Sequence, residues 1–313
     1  MVDLLHKMGF PSLFVEWIKT CITSFKFSVN INGESVGFFS SSRGLRQGDP
    51  ISSYLFVIAM ETLSMLINKR VGEHQTFAFH WRCNLTRTTH LSFADDLMLF
   101  CGDSVESAST LKKALTDFSL ASGLHPNESK SCIFIAGSDE RYKQAVLNIF
   151  RFPLGSLPIK YLGIPLITTR LMYGDCLPMI ESITMRIKSW TTKILSYAGR
   201  VQLIQSVMFG VQEFWASILY LPKRVLQKVE QIIRAFLWKG PEMSNGGAKV
   251  EWEELTKPKS KGGLGIKKLE DWNTASLAKH LWNICKHNPT SNWAAWARAN
   301  LLRGRSIWDI ISR

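Results

Sequence analysis

The sequence predicts an α+β protein: an antiparallel sheet with helices on one face, then a helical lobe and a basic, tryptophan-rich tail. Three observations carry this. Up to Ile135 the apolar residues recur in the order helix, hairpin, helix, strand, which describes a layer of helices on a sheet. From about Asp175 to Trp238 the pattern is helical throughout. From Pro222 onward there are 17 Lys and Arg against 8 Asp and Glu, so +9 of the net +13 lies in the last third. The expected divisions are residues 1–152, 153–240 and 241–313.

Hydrophobic content of 46% and charged content of 20% are values of a folded chain. A chain of 313 residues buries roughly three quarters of its unfolded surface. No run of about 18 uninterrupted apolar residues and no signal-peptide pattern occurs, so neither a membrane partner nor secretion is expected. The six cysteines are scattered without a CxxC pair, which argues for reduced thiols in the cytosol or nucleus and against a zinc knuckle. The excess positive charge favours a polyanionic partner, nucleic acid being the usual one.

Taken in order, Leu4, Leu5 and Met8, then Phe14, Val15 and Ile18, form two helical patterns broken at Gly9-Phe10-Pro11. Residues 25–31 alternate as a strand, and Asn32-Gly33 turns the chain into a second arm through Val36, Phe38 and Phe39. Arg43-Gly44-Leu45-Arg46-Gln47-Gly48 is a basic, glycine-containing turn; Asp49 then caps a helix with Pro50 in its first position. That helix is expected to run to about Leu66. A turn feeding a helix N-terminus suits an anion and equally suits an ordinary capped loop.

The central stretch is His90 to Phe100, two apolar arms around Ala94-Asp95-Asp96. Leu91 and Phe93 on one side and Leu97 and Leu99 on the other alternate at the strand period, so a hairpin is expected to bury that face and project two carboxylates at its turn. Paired carboxylates suit magnesium in phosphoryl transfer, while Asp is also a common turn former. A helix follows, with Asp103 and Glu106 at its start and Gly123 at its end. Lys130 then stands between a loop and a strand ending at Ile135. Further on come a short strand or hairpin over Ile159–Leu166, helices with stripes Ile180–Ile194 and Val225–Phe236, and linkers at 241–247 and 257–263. Nine of eleven tryptophans lie at or after Trp190, where helical spacing suits core anchors and basic neighbours suit base stacking.

Together these motifs resemble the palm of a reverse transcriptase, of the non-LTR, LINE-type retrotransposon group abundant in plant genomes. Arg43 to Pro50 resembles that family's motif B, Phe93-Ala94-Asp95-Asp96 its motif C, and Gly123 to Lys130 its motif D. Tyr161 to Leu166 and the helical lobe resemble its thumb. The resemblance implies an RNA-directed DNA polymerase acting on an RNA template, a DNA primer and dNTPs with two Mg²⁺ ions. It implies Asp95 and Asp96 as metal ligands, Phe93 against the primer end, and Arg46, Gln47 and Gly48 toward the nucleotide and template. It also implies Lys130 beside the leaving pyrophosphate. The family's motif A strand, with another metal-ligating Asp, belongs before Leu4, and Asp3 has no apolar strand ahead of it. The fingers, an upstream endonuclease and a downstream Cys/His knuckle have no match either. The expectation is a truncated palm, inactive or nearly so as a lone chain, or else a non-catalytic nucleic-acid binder using its basic tail.

Overall fold

A computed structural model describes residues 1–40, 44–137, 139–190, 195–240, 249–286 and 291–311. Arg43, Ile194 and the linker expected at 241–247 lie outside the described residues. The chain forms two units, Met1–Gly155 and Ser156–Arg313, and mixes helices with small antiparallel sheets, an α+β composition.

In the first unit, α1 (Val2–Lys7) and α2 (Ser12–Thr23) are separated at Gly9 and Pro11 as their sequence expects. Strands β1 (Lys26–Ile31) and β2 (Glu34–Ser40) pair antiparallel, Ile31 opposite Glu34. Asn32 and Gly33 close the turn at φ +53° and +92°, the two left-handed residues that a tight hairpin of this twist requires. The Gly33 N–H donates to Asn30 Oδ1 at 2.9 Å.

Helix α3 (Pro50–Glu73) starts as read from the sequence: Asp49 accepts from the Ile51 N–H at 3.1 Å, and Pro50 opens the first turn. It runs a further two turns past Leu66, because Ile67 and Val71 continue its apolar stripe into the core. By length and composition α3 is apolar enough to cross a bilayer. Its buried residues instead serve two clusters. Leu55 packs with Leu5, Val15 and Ile18 of α1 and α2. Leu63, Ile67 and Val71 pack with Leu111, Leu115 and Phe118 of α4 (Val105–Ser122) and with Val146 and Phe150 of α5 (Glu140–Phe150). Arg70 on α3 donates to Asp117 Oδ2 on α4 from both Nε, at 2.8 Å, and a terminal nitrogen, at 2.6 Å.

Between α3 and α4, β3 (His90–Phe93) and β4 (Asp96–Leu99) form a hairpin. The cap of α4 is Ser104 rather than Asp103; its hydroxyl accepts from the Ser107 N–H at 3.2 Å and donates to Glu106 at 2.8 Å. Gly123 ends α4 in the left-handed conformation, as expected. The single antiparallel sheet expected from the sequence is not formed by the described residues, which make three separate two-stranded hairpins. The strand expected to end at Ile135 is reduced to one parallel bridge, Ile133 to Leu154.

In the second unit, β5 (Ile159–Tyr161) and β6 (Ile164–Leu166) form a hairpin. The helices are α6 (Leu177–Ser189), α7 (Tyr197–Leu203), α8 (Phe209–Ala216), α9 (Lys223–Lys239), α10 (Trp252–Thr256), α11 (Leu269–Cys285), α12 (Asn292–Ala297) and α13 (Ile307–Ile311). A π turn, Ile204–Met208, joins α7 to α8. Ile183, Ile187, Ile204, Val229, Ile233 and Phe236 share one core with Trp252, Leu255, Ile266 and Leu269, so that core continues past residue 240. Buried Asn273 accepts from the Leu221 N–H at 3.0 Å and donates to the Ala216 and Leu219 carbonyls at 2.8 and 2.9 Å, so α11 fastens the connection between α8 and α9. The tryptophans divide: Trp215 and Trp252 are core anchors, whereas Trp282, Trp293 and Trp308 are exposed.

Packing sets the first prediction. Leu111, 1% exposed at the centre of the α3–α4–α5 cluster, should cost about 3 kcal/mol when changed to Ala. Leu91→Ala, on the open face of the hairpin, should stay within roughly 0.5 kcal/mol. Urea unfolding of the two variants measures the contrast, and equal losses would refute this assignment of faces.

Candidate active site at the hairpin turn

The β3–β4 register decides which side chains meet at the turn. Phe93 pairs with Asp96, Ser92 with Leu97, Leu91 with Met98 and His90 with Leu99. Directly paired residues share a face. One face therefore holds His90, Ser92, Leu97 and Leu99; the other holds Leu91, Phe93, Asp96 and Met98. Leu97 and Leu99 pack against the α3–α4 cluster. Leu91 and Phe93 lie on the opposite, open face, 46% and 63% exposed. The expectation that all four share a buried face is thus corrected. A two-residue turn fixes the register, and that register sets Leu91 against Met98 rather than against a core leucine.

Ala94 and Asp95 form the turn itself, with Ala94 at φ +50°. A residue with a Cβ is strained in that region, by roughly 1–3 kcal/mol. Asp95 sits at the tip, and Asp96 begins β4 on the same face as Phe93. Both carboxylates are exposed. Two adjacent carboxylates facing solvent supply hard oxygen donors of the kind magnesium takes, one or two at a time, with water and substrate phosphates completing its shell. The residues therefore fit a share of such a site. No cluster of three or more His, Cys, Asp or Glu side chains suited to a metal forms among the described residues.

The hairpin is held to α3 by a residue that sequence patterning does not single out. His90 Nε2 lies 3.0 Å from Ser64 Oγ on α3, and its Nδ1 lies 3.0 Å from Thr89 Oγ1. A neutral ring donates from one nitrogen and accepts at the other, so both hydroxyls are satisfied. Burial pushes the His90 pKa below its ordinary value, partly opposed by the Glu61 carboxylate. The only signal in the sequence is a polar residue in an apolar arm.

The other residues singled out lie on separate turns of the same unit. Arg46, Gln47 and Gly48 are exposed in the turn that enters α3, with Gly48 at φ +87° and the Arg46 carbonyl accepting from Ser52 Oγ at 2.8 Å. Lys130 is exposed on a turn closed by Asn127, whose Oδ1 accepts from the Ser129 and Lys130 N–H groups at 3.1 and 3.2 Å. Asp95 and Asp96 are brought together by the hairpin; Arg46, Gln47, Gly48 and Lys130 are positioned by separate turns of the same unit.

Residues 2–166, more than half of the chain, match the family model for reverse transcriptase (RNA-dependent DNA polymerase). The chain is 28% identical over 303 residues to the Retrovirus-related Pol polyprotein from type-2 retrotransposable element R2DM of Drosophila melanogaster, a match covering 94% of this chain and 27% of that protein. It is 24% identical over 303 residues to the Transposon TX1 uncharacterized 149 kDa protein of Xenopus laevis, covering 95% and 22%. It is 24% identical over 304 residues to the Pol polyprotein from type-1 retrotransposable element R2 of Popillia japonica, covering 93% and 47%. The chain spans less than half the length of each of these relatives.

The His90 contact predicts a pH dependence. Unfolded His90 takes up a proton near pH 6.5, while the folded residue, kept neutral by burial, resists it. Below that pH the unfolded state binds more protons, so stability is full above about pH 6.5 and falls as the pH drops toward the folded pKa. His90→Gln should lose about 1 kcal/mol at pH 7.5 and show a shallower decline between pH 7.5 and 5.5. Thermal melts followed by circular dichroism across that range measure both; parallel declines would remove His90 as the cause.

Proposed function

The chain belongs to the reverse transcriptase family, in the form carried by non-LTR retrotransposons, and from that premise we propose that it forms part of an RNA-directed DNA polymerase whose reacting centre is the β3–β4 turn. The observation that carries this reading is the shared open face of Phe93 and Asp96 beside Asp95 at the exposed tip of the turn.

In this reading Asp95 and Asp96 hold Mg²⁺. Bound there, the ion neutralises charge on a phosphoryl group in transfer. Phe93 offers an aromatic surface to the primer end. The Arg46–Gly48 turn meets the incoming nucleotide and the templating base, its glycine letting the backbone come close to the ligand. Lys130, a mobile point charge on an exposed turn, meets the pyrophosphate and can give it a proton. The first unit acts as the palm; residues 153–240 serve as the thumb and 241–313 as a basic tail. RNA template, DNA primer and dNTP are the substrates.

These 313 residues alone are proposed to be severely impaired as a polymerase. Two carboxylates at one turn supply part of a two-metal shell, and each further ligand is worth several times the 1.4 kcal/mol that makes a tenfold change in rate. A second reading, nucleic-acid binding without metal chemistry, is favoured by Lys259, Lys261 and Lys268, exposed in and beside the short turn Lys259–Lys261. Lys267 belongs less to that surface, because its Nζ lies 3.5 Å from the Trp272 ring centre and 3.6 Å from Glu213.

Primer extension on RNA with Mg²⁺, with Asp95→Ala and Asp96→Ala as controls, tests the polymerase reading. Weak extension abolished by either substitution is the expected result. Extension that survives both would sink the assignment of the turn. For the second reading, changing Lys259, Lys261 and Lys268 to Gln should lower the salt slope of oligonucleotide binding by about 2.

A further inference from the structure

A second feature of the first unit lies outside the carboxylate turn. The loop from His80 to Arg87 leads into β3 from the end opposite Asp95. With four residues in β3, the two ends stand roughly 13 Å apart. The loop presents Trp81 at the surface, 68% exposed, with the Arg82 guanidinium 4.6 Å from its ring centre and the His80 ring 5.9 Å away. Arg87, exposed and in the left-handed conformation at φ +50°, lies with its guanidinium 5.3 Å from the Phe79 ring.

This loop is a built structure. Cys83 is buried and anchors it. The Cys83 N–H donates to the His80 carbonyl at 2.7 Å, and the Cys83 carbonyl accepts from the Thr88 N–H at 3.2 Å and from Thr86 Oγ1 at 3.3 Å. Arg87 N–H donates to the Asn84 carbonyl at 3.3 Å. A large apolar ring is therefore held out in water by a tied backbone, with the Arg82 cation beside it and Arg87 on the same loop. From Gln75 to Thr89 the sequence holds no Asp or Glu. An aromatic face that accepts any base, set among Arg side chains, is the arrangement by which single strands are bound without sequence preference. Cationic neighbours and the lack of acid favour a polyanion over an apolar protein partner. Because the backbone that carries Trp81 is tied before binding, the loop itself loses little conformational freedom on contact.

We propose that the His80–Arg87 loop is a contact for single-stranded nucleic acid, Trp81 stacking on a base and Arg82 and Arg87 facing phosphates. It rests on the reading that this chain handles nucleic acid, and it adds a site that the carboxylate turn and the lysines of the tail do not supply.

The test is fluorescence anisotropy of labelled RNA and DNA oligonucleotides of about 12 residues with the full chain, each in a base-bearing and an abasic version. Trp81→Ala should weaken base-bearing strands about tenfold and leave abasic strands unchanged, with an unaltered melting temperature. Arg82→Gln with Arg87→Gln should lower the salt slope by about 1.4 on both versions. A loss on either the RNA or the DNA arm supports the site, and the arm with the larger loss identifies the strand. Wild-type binding that none of these substitutions changes would overturn this proposal alone. A wild-type chain that binds no oligonucleotide would overturn it together with the functional reading. Equal losses on base-bearing and abasic strands would overturn the stacking role of Trp81.

Discussion

The first unit depends on α3 having to be buried at both ends against different partners. Its first turns need Leu5, Val15 and Ile18; its last turns need α4 and α5. A helix whose two halves meet unrelated elements cannot slide without exposing one of them. At about 0.8 kcal/mol per methylene group, either stripe outweighs any single polar contact in the unit. The Asp49 cap fixes where the helix begins, and with it the Arg46–Gly48 turn. Ser64, on the same helix, fixes His90 and with it the β3–β4 hairpin. One rod therefore positions both the turn read as nucleotide-facing and the turn read as metal-holding.

Much of this was legible in the residues because it rests on local chemistry. Asn32-Gly33 demands two left-handed residues, Asp49-Pro50 demands a helix start, and Gly123 demands a helix end; each forms where expected. What was not legible rests on contacts distant in sequence. Period-two alternation cannot say which face of the hairpin is covered, because both arms alternate and only the turn length joins their phases. Asp103 and Ser104 are both good caps, and the choice between them follows the Gly102 N–H, which donates to the Ala78 carbonyl at 2.7 Å and holds the preceding chain. The end of α3 lies beyond Leu66 because Val71, set off from Ile67 by Asn68-Lys69-Arg70, joins the same buried stripe, and only α4 shows what it covers. The tryptophans read as one group by composition but divide by burial, since spacing alone does not tell an anchor from an exposed ring.

The second unit shows how a basic sequence can hold a folded core. Charge and burial sit on different faces of the same elements: α9 buries Val225, Val229, Ile232, Ile233 and Phe236 while Lys223, Arg224 and Lys228 face outward or lie at the margin. Lys267 lies over the Trp272 ring and near Glu213 at a part-exposed surface, and Glu213 Oε1 also accepts from the Trp272 indole at 3.2 Å. Net charge is thus a poor count of the cations available to a polyanion; the structure removes Lys267 from the count and leaves Lys259 and Lys261 in it.

The carboxylate turn sets two acidic residues beside an exposed aromatic ring, and that conjunction is the physical reason to read it as a site. Ala94 stands in the left-handed region as Asn32 and Leu162 do at the other two hairpin turns, so its backbone belongs to the hairpin geometry. Phe93 meanwhile leaves most of its ring in water. Leu97, Leu99 and the His90 latch hold the arms to the core, so that charge and exposed ring are kept together at one point. A divalent cation and a nucleic-acid strand would satisfy both at once, the cation by neutralising the carboxylates and the strand by covering the ring.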